Sequence, residues 1–228
     1  FPVSSPLSRR WILLEAVIFD MDGLMFDSEV VWAASWPPAF AKYGLSLKPD
    51  LLLSCVGVSQ ERSARLVGKA YGQNPQAVLA FEEHYEIAQR MFIQRGAPKK
   101  PGLDEVLDYL GDRDVPLAVA SSSPSMIVTS LLEFGCVADR FDVVISGDSG
   151  CPSKPHPDIF LAAAQELCAS PSNTVVLEDS PNGIRAAHAG GFIPIMVPDV
   201  LQPDDAIRAC CHMVCEDLYE AQEAMSDL

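Results

Sequence analysis

The chain has 228 residues, of which 16 are Lys or Arg and 31 are Asp or Glu, giving a formal net charge of −15 at pH 7. Such a balance repels a phosphate backbone and an anionic bilayer, which excludes nucleic-acid or membrane binding through a broad basic face. With 49% hydrophobic and 21% charged residues the chain is ordinary globular material, and at this length it can bury about 70% of its unfolded surface without disulfide or metal staples.

At roughly 150 residues per domain the length predicts one large domain, or one domain carrying an insert. The chain begins with Phe1, and residues 1–11 read as an extension. Arg9-Arg10 followed by Trp11–Leu14 has a superficial likeness to a twin-arginine export signal. Glu15, Asp20 and Asp22 interrupt the apolar core of about 7–15 residues that export requires.

The first apolar run, Ala16–Phe19, leads into Asp20-Met21-Asp22-Gly23. Two carboxylates one residue apart suit a shared cation, or a nucleophile beside a proton carrier, although such pairs are also common on solvated surfaces. Residues 31–98 then contain no strand-like run. They read as helices separated by Gly44, Gly57, Gly72–Pro75 and Gly96–Pro98. A crossover normally needs a dozen or more residues, so this much longer segment predicts a helical cap inserted into a sheet domain. Pro37-Pro38 predicts a kink or a split in its first helix.

Beyond the insert, Leu103, Val106, Leu107 and Leu110 form a helical stripe. The run Leu117–Ala120 ends in Ser121-Ser122-Ser123, whose hydroxyls and N–H groups suit either an oxyanion or a plain helix cap before Pro124. Val143–Ile145 is a third run. Lys154 sits between Ser153 and Pro155, either a pinned counter-charge for a phosphoryl group or an exposed loop lysine. Pro157 opens a helix with Ile159, Phe160, Ala163 and Leu167 facing inward. Val175–Leu177 delivers a second acidic pair, Glu178-Asp179, before Ser180-Pro-Asn-Gly183. Facing acidic strand ends repel unless a divalent cation lies between them, and oxygen-only ligands favour Mg²⁺. Ile195–Val197 completes the set.

Runs apolar at every position suit strands buried on both faces. The predicted fold is therefore α/β, a doubly wound parallel sheet formed by 12–30 and 99–228, with the helical cap at 31–98. Seven scattered cysteines without a C-x-x-C pair point to a reducing compartment, the cytoplasm. Cys210, Cys211, His212 and Cys215 lack a second ligand cluster and read as thiols flanking a strand at Met213–Val214.

Taken in order on successive strand tips, Phe19-Asp-Met-Asp-Gly-Leu-Met-Phe-Asp-Ser-Glu29, Ala120-Ser121, Ser153–Phe160 and Leu177–Ile184 resemble the haloacid dehalogenase superfamily. The branch is the one of β-phosphoglucomutases and sugar-phosphate phosphatases, and the likeness runs from about residue 15 to 220. The resemblance implies a phosphoryl-transfer site: Asp20 as nucleophile, Asp22 as proton donor and then general base, and Ser121, Ser122 and Lys154 holding phosphoryl oxygens. It implies Mg²⁺ bound by Asp20, the Asp22 carbonyl, Asp179 and Glu178. The implied substrate is a small phosphorylated metabolite, with no obligate protein partner evident.

The same motifs serve mutases, and a non-catalytic protein on this scaffold is a third reading; the latter would be expected to lose one of the key residues, and all are retained. Sugar mutases resembling this branch carry a histidine where Trp32 stands and an arginine directly after a G-V-S segment, where Gln60 stands. No lysine occurs between Ala70 and Pro98. A second phosphate requires such cations, so hydrolysis is the expected reaction, with Arg62 or Arg65 able to compensate. Trp32, Trp36, Cys55, Val56, His84 and Arg90 are candidates for selectivity, and each reads equally as packing or surface. His188 is expected to be structural.

Overall fold

The computed structural model describes residues 14–55, 60–226 and 228. The Arg9-Arg10 segment and Gly57 lie outside them. Six strands form one sheet: β1 (Ala16–Phe19), β2 (Leu117–Ala120), β3 (Val143–Ile145), β4 (Thr174–Glu178), β5 (Ile193–Met196) and β6 (Met213–Val214). Their order is β3-β2-β1-β4-β5-β6, and every neighbouring pair is parallel. Among the described residues, helices α1 (Glu29–Lys42), α2 (Pro49–Cys55), α3 (Gln60–Ala70) and α4 (Pro75–Arg95) lie between β1 and β2. The others are α5 (Leu103–Gly111), α6 (Ser125–Phe134), α7 (Asp158–Glu166), α8 (Pro181–Ala189), α9 (Asp205–Arg208) and α10 (Leu218–Ser226).

Alternation along the strands divides the core. Val17, Phe19, Val119, Val175 and Leu177 pack with apolar residues of α5, α6 and α10. Ile18, Ala118, Ala120 and Val176 turn to the other face, against α7 and α8. A sheet covered on both faces needs apolar residues at successive positions, which is why the continuous runs were legible as strands. The α5 stripe of Leu103, Val106, Leu107 and Leu110 is fully buried, as its spacing predicts.

Three expectations need correction. β3 is an edge strand and Val144 is 45% exposed, because its outer side has no neighbouring strand. The fifth strand begins at Ile193 and ends at Met196, and Val197 follows it; the sequence pattern read past Pro194 only with difficulty because proline is a poor interior strand residue. Finally, of the kink or split expected at Pro37-Pro38 the split does not occur: α1 runs through both prolines as one helix. Each proline removes an N–H that would bond one turn back. The burial of Trp36, Ala39 and Phe40 against Ala77, Ala80 and Phe81 of α4 offsets that loss.

The two chain crossings between the sheet and the α1–α4 segment pair with each other. Phe26 forms an antiparallel bridge with Lys99, Asp27 N–H donates to Pro98 O at 2.8 Å, and Lys100 N–H donates to Met25 O at 2.8 Å. The segment has its own apolar cluster around Trp36, Phe40, Leu51, Val67 and Phe81, while Ala88 and Phe92 of α4 join the sheet's core. No helix among the described residues is long and apolar enough to cross a membrane.

Candidate active site

Register brings the motifs together. Phe19 is level with Val119 of β2 and Leu177 of β4, so the next residue of β1, Asp20, stands between the carboxyl ends of both neighbours. Open α/β sheets bind ligands at such an edge, where the winding reverses. Asp20 is held there by its own N–H donating to Leu177 O at 2.9 Å. Gly23 then turns the chain at φ +81°, and a Cβ there would collide with the Asp179 carboxylate.

The Lys154 side chain, only 7% exposed, crosses the strand ends. Its ammonium donates to Asp20 Oδ1, to Glu178 Oε1 at 2.9 Å and to Ala120 O at 3.2 Å, and it lies over the Phe160 ring at 4.7 Å. It is a buried counter-charge, and the exposed-loop alternative is excluded.

The second acidic motif explains itself locally. The Ser180 hydroxyl accepts from Gly183 N–H at 3.1 Å and caps α8, whose first residue is Pro181. Ser180 N–H in turn donates to Glu178 Oε2 at 2.6 Å. A Cβ at Gly183 would overlap the Glu178 carboxylate, so glycine is required for this approach. Asp20, Glu178 and Asp179 each present a carboxylate oxygen within 4.8 Å of the others.

Three carboxylates share one lysine, and their protonation reflects it. Burial pushes the Asp20 carboxyl up to about 7, with repulsion from Glu178 and Asp22 adding to it against the pull of Lys154. Burial, then the charges of Glu178 and Asp20, pushes Asp179 well above the usual carboxylate range. For Lys154 burial acts in the opposite direction, but Asp20 and Glu178 more than offset it and its proton is held more tightly than usual. An all-oxygen, anion-rich cluster in which Asp20 and Asp179 resist ionising fits a hard divalent cation. Asp20 and Asp179 have oxygens without a hydrogen-bond donor among the described residues. Both Glu178 oxygens already accept one bond, leaving their remaining lone pairs.

Asp22 faces the serines that follow β2. Its Oδ2 accepts from Ser123 Oγ at 2.8 Å and from Ser121 Oγ at 3.4 Å. Ser121 is fully buried, and its hydroxyl also accepts from Ser123 N–H at 3.0 Å. Ser122 is exposed, and its backbone carbonyl lies against Gly147. Ser123 is thus the serine that the sequence reading missed, although it stood in the same triplet. Asp199 was also missed. It pairs with Lys100 at 2.7 Å and, with Asp22, Glu29, Trp32 and Asp179, lines a cavity of about 220 Å³ beside the carboxylates. Nothing local marks it, because its partner is 99 residues away.

Of the selectivity candidates, Trp32, Trp36, Cys55 and His84 line a second cavity that shares Glu29 and Trp32 with the first. Arg90 is exposed and paired with Glu83 and Glu86. Val56 lies outside the described residues. His188 is exposed on α8.

Sheet order and strand-tip carboxylates define the class, an open, all-parallel Rossmann-like α/β sheet with a carboxylate-rich site at the carboxyl ends of its strands. The sequence model of the haloacid dehalogenase-like hydrolases matches residues 17–197, and the chain belongs to that family. It is 29% identical over 179 residues to a phosphorylated carbohydrates phosphatase of Thermotoga maritima, covering 78% of this chain and 82% of that one. It is 31% identical over 187 residues to hexitol phosphatase B of Escherichia coli K12, covering 80% and 83%. Among solved structures, a candidate β-phosphoglucomutase from Thermotoga maritima superimposes with a TM-score of 0.80 at 26% identity, covering 94% of this chain and 99% of that one.

Proposed function

We propose that the protein is a Mg²⁺-dependent phosphatase of small phosphorylated sugars or sugar alcohols, acting through an aspartyl-phosphate on Asp20. The observation that carries this reading is the buried Lys154 bonded to Asp20 and Glu178, beside Asp179, at the carboxyl edge of adjacent strands. The names of the related phosphatases support a sugar-phosphate substrate.

Asp20 attacks phosphorus in line with the leaving oxygen, and Lys154 neutralises charge on the phosphoryl oxygens as it moves. The Ser121 hydroxyl and the N–H groups after β2 orient those oxygens. Asp22 donates a proton to the departing alkoxide, then removes one from the water that attacks the aspartyl-phosphate. The Ser123 hydroxyl, donating to Asp22 at 2.8 Å, holds it ready for both transfers. Asp20, Asp179, the Asp22 carbonyl and Glu178 would hold Mg²⁺. When bound, the ion supplies positive charge that favours ionised Asp20 and polarises the phosphoryl group.

The domain division at 31–98 is part of the same reading: this helical segment serves as a cap that supplies the substrate's surroundings. The cytoplasm is the proposed compartment, consistent with seven free cysteines. The test is a phosphate-release screen over sugar phosphates, hexitol phosphates, nucleotides and glycolytic acids, with and without Mg²⁺. Interconversion of β-glucose 1-phosphate and glucose 6-phosphate, primed with a sugar bisphosphate and without phosphate release, would instead establish a mutase.

A further inference from the structure

The helical segment contains a cavity of about 250 Å³ that adjoins the cavity beside the carboxylates, Glu29 and Trp32 lining both. Four aromatic rings surround one imidazole inside it. His84 lies 4.4 Å from Trp36, 4.8 Å from Phe81, 4.2 Å from Tyr85 and 6.2 Å from Trp32, ring centre to ring centre. The residue is 2% exposed. Its Nδ1–H donates to Phe81 O, one turn back on α4, which makes Nε2 the ring's acceptor. Nε2 has no hydrogen-bond partner among the described residues. Burial pushes the imidazole down to about 4, so it is neutral at physiological pH. The buried Ser63 hydroxyl and the Tyr85 phenol line the same space.

Charge is distributed to match. Among the described residues no lysine or arginine lines either cavity, while Asp22, Glu29, Asp179 and Asp199 line the first. Burial, followed by the charges of Asp199, Asp22 and Asp27, raises the Glu29 carboxyl above its ordinary range. A second phosphate or a carboxylate on the substrate would meet the acidic residues that line the first cavity, which costs desolvation and like-charge repulsion. An uncharged group with apolar C–H faces and several hydroxyls suits aromatic walls with a few convergent polar atoms. The volume is below the roughly 300–1,000 Å³ of pockets for drug-sized ligands.

We propose that this cavity receives the leaving group of the substrate, an uncharged sugar or sugar alcohol, and that His84 Nε2 accepts a hydrogen bond from one of its hydroxyls. His84 is thereby a specificity-determining residue. The assignment rests on the phosphatase reading above.

The test compares four substrates under saturating Mg²⁺: a hexitol 6-phosphate, hexose 1,6-bisphosphate, phosphoglycolate and acetyl phosphate, whose leaving group is too small to reach the cavity. Native enzyme should prefer the hexitol phosphate over the bisphosphate and phosphoglycolate by at least about tenfold in kcat/KM. His84→Phe, which keeps the packing but removes the acceptor, should lower kcat/KM for the hexitol phosphate about 10- to 100-fold, within the range of one lost hydrogen bond to a buried group. Acetyl phosphate turnover should change less than twofold, and His84→Gln should recover part of the loss. Tyr85→Phe, which deletes one hydroxyl and no ring, should reproduce the selective loss in milder form should His84→Phe fail to fold. Equal losses on acetyl phosphate and hexitol phosphate, or no loss on either, would overturn the assignment while leaving the phosphatase reading standing. Native enzyme that preferred the bisphosphate or phosphoglycolate would do the same. Failure of native enzyme to hydrolyse acetyl phosphate or any of the sugar esters would overturn both.

Discussion

The carboxylate site at the sheet's edge and the aromatic cluster of α1 and α4 are neighbours, sharing Glu29 and Trp32, yet they achieve burial by opposite means. At the sheet's edge, charge is concentrated and held by hydrogen bonds of fixed length: Lys154 to Glu178, Ser180 N–H to Glu178, Ser123 to Asp22. Burial there makes ionisation itself costly, as Asp20 and Asp179 reveal. In the cluster, Trp32, Trp36, Phe81 and Tyr85 meet edge to face or tilted around one neutral imidazole. The first arrangement can stabilise a charged, changing group, because fixed dipoles and counter-charges need not reorganise as the reaction proceeds. The second can only sort groups by shape and hydration. On the proposed reading one chain separates chemistry from selection, and the difference can be broken at either end.

The largest expected effect is on the sheet side. Asp20→Asn should reduce phosphate release by at least about a thousandfold, since it removes the proposed nucleophile. Thermal unfolding should be unchanged or slightly raised, because the carboxylate it replaces is reluctant to ionise. Undiminished turnover would remove Asp20 from the mechanism. Lys154→Met should abolish activity and also destabilise the fold by about 3 kcal/mol, the cost of leaving buried carboxylates without their partner. Urea unfolding measures that loss. A stability close to native would show that the site adapts to the loss of the ammonium without cost to the fold.

Gly183→Ala sharpens the contrast between fixed and adaptable packing. The added methyl collides with the Glu178 carboxylate, so overpacking should cost about 2–3 kcal/mol and reduce phosphate release in parallel. A variant with native stability and activity would mean that Glu178 has room to move. The smallest effect belongs to the aromatic side. His84 is neutral in both folded and unfolded chains above pH 6.5, so its contribution is complete there. As pH falls from 6.5 toward about 4 the unfolded chain takes up a proton that the folded one refuses, and stability declines; below about 4 the loss levels off. Discounted for solvent screening near the cavity, the shift is worth about 1–2 kcal/mol. Urea unfolding at pH 7 and pH 4.5 should show a steeper drop for native protein than for His84→Phe, and equal drops would exclude this origin.

How much was legible in advance follows the range of each interaction. The strands buried on both faces were readable as continuous apolar runs, and α5 as a stripe, because these patterns repeat within a few residues. Asp20, Lys154, Glu178 and Asp179 were readable because each stands in a short, distinctive segment. Ser123 and Asp199 were not singled out. Their importance comes from partners about a hundred residues away, Asp22 and Lys100, which no local pattern records. The two prolines of α1 misled for the complementary reason: local chemistry argued for a break, and burial against α4 outweighed it.

The sequence by itself determined the class of fold, the order of the strand-tip motifs, the acidic balance and the family to which those motifs point. All of these depend on residue identity and spacing along the chain. Only the tertiary structure decided that Lys154 bonds two of the three clustered carboxylates, that Asp22 turns to the serines, and that His84 sits neutral within four aromatic rings. Those facts depend on strand register and helix packing, which bring distant residues within hydrogen-bond reach and remove them from water. The charge of −15 with which the reading began thus has a local meaning that composition cannot supply. Some of that negative charge is drawn together at one sheet edge, where burial raises the Asp20 and Asp179 carboxyls above their ordinary range and Lys154 pairs with Asp20 and Glu178.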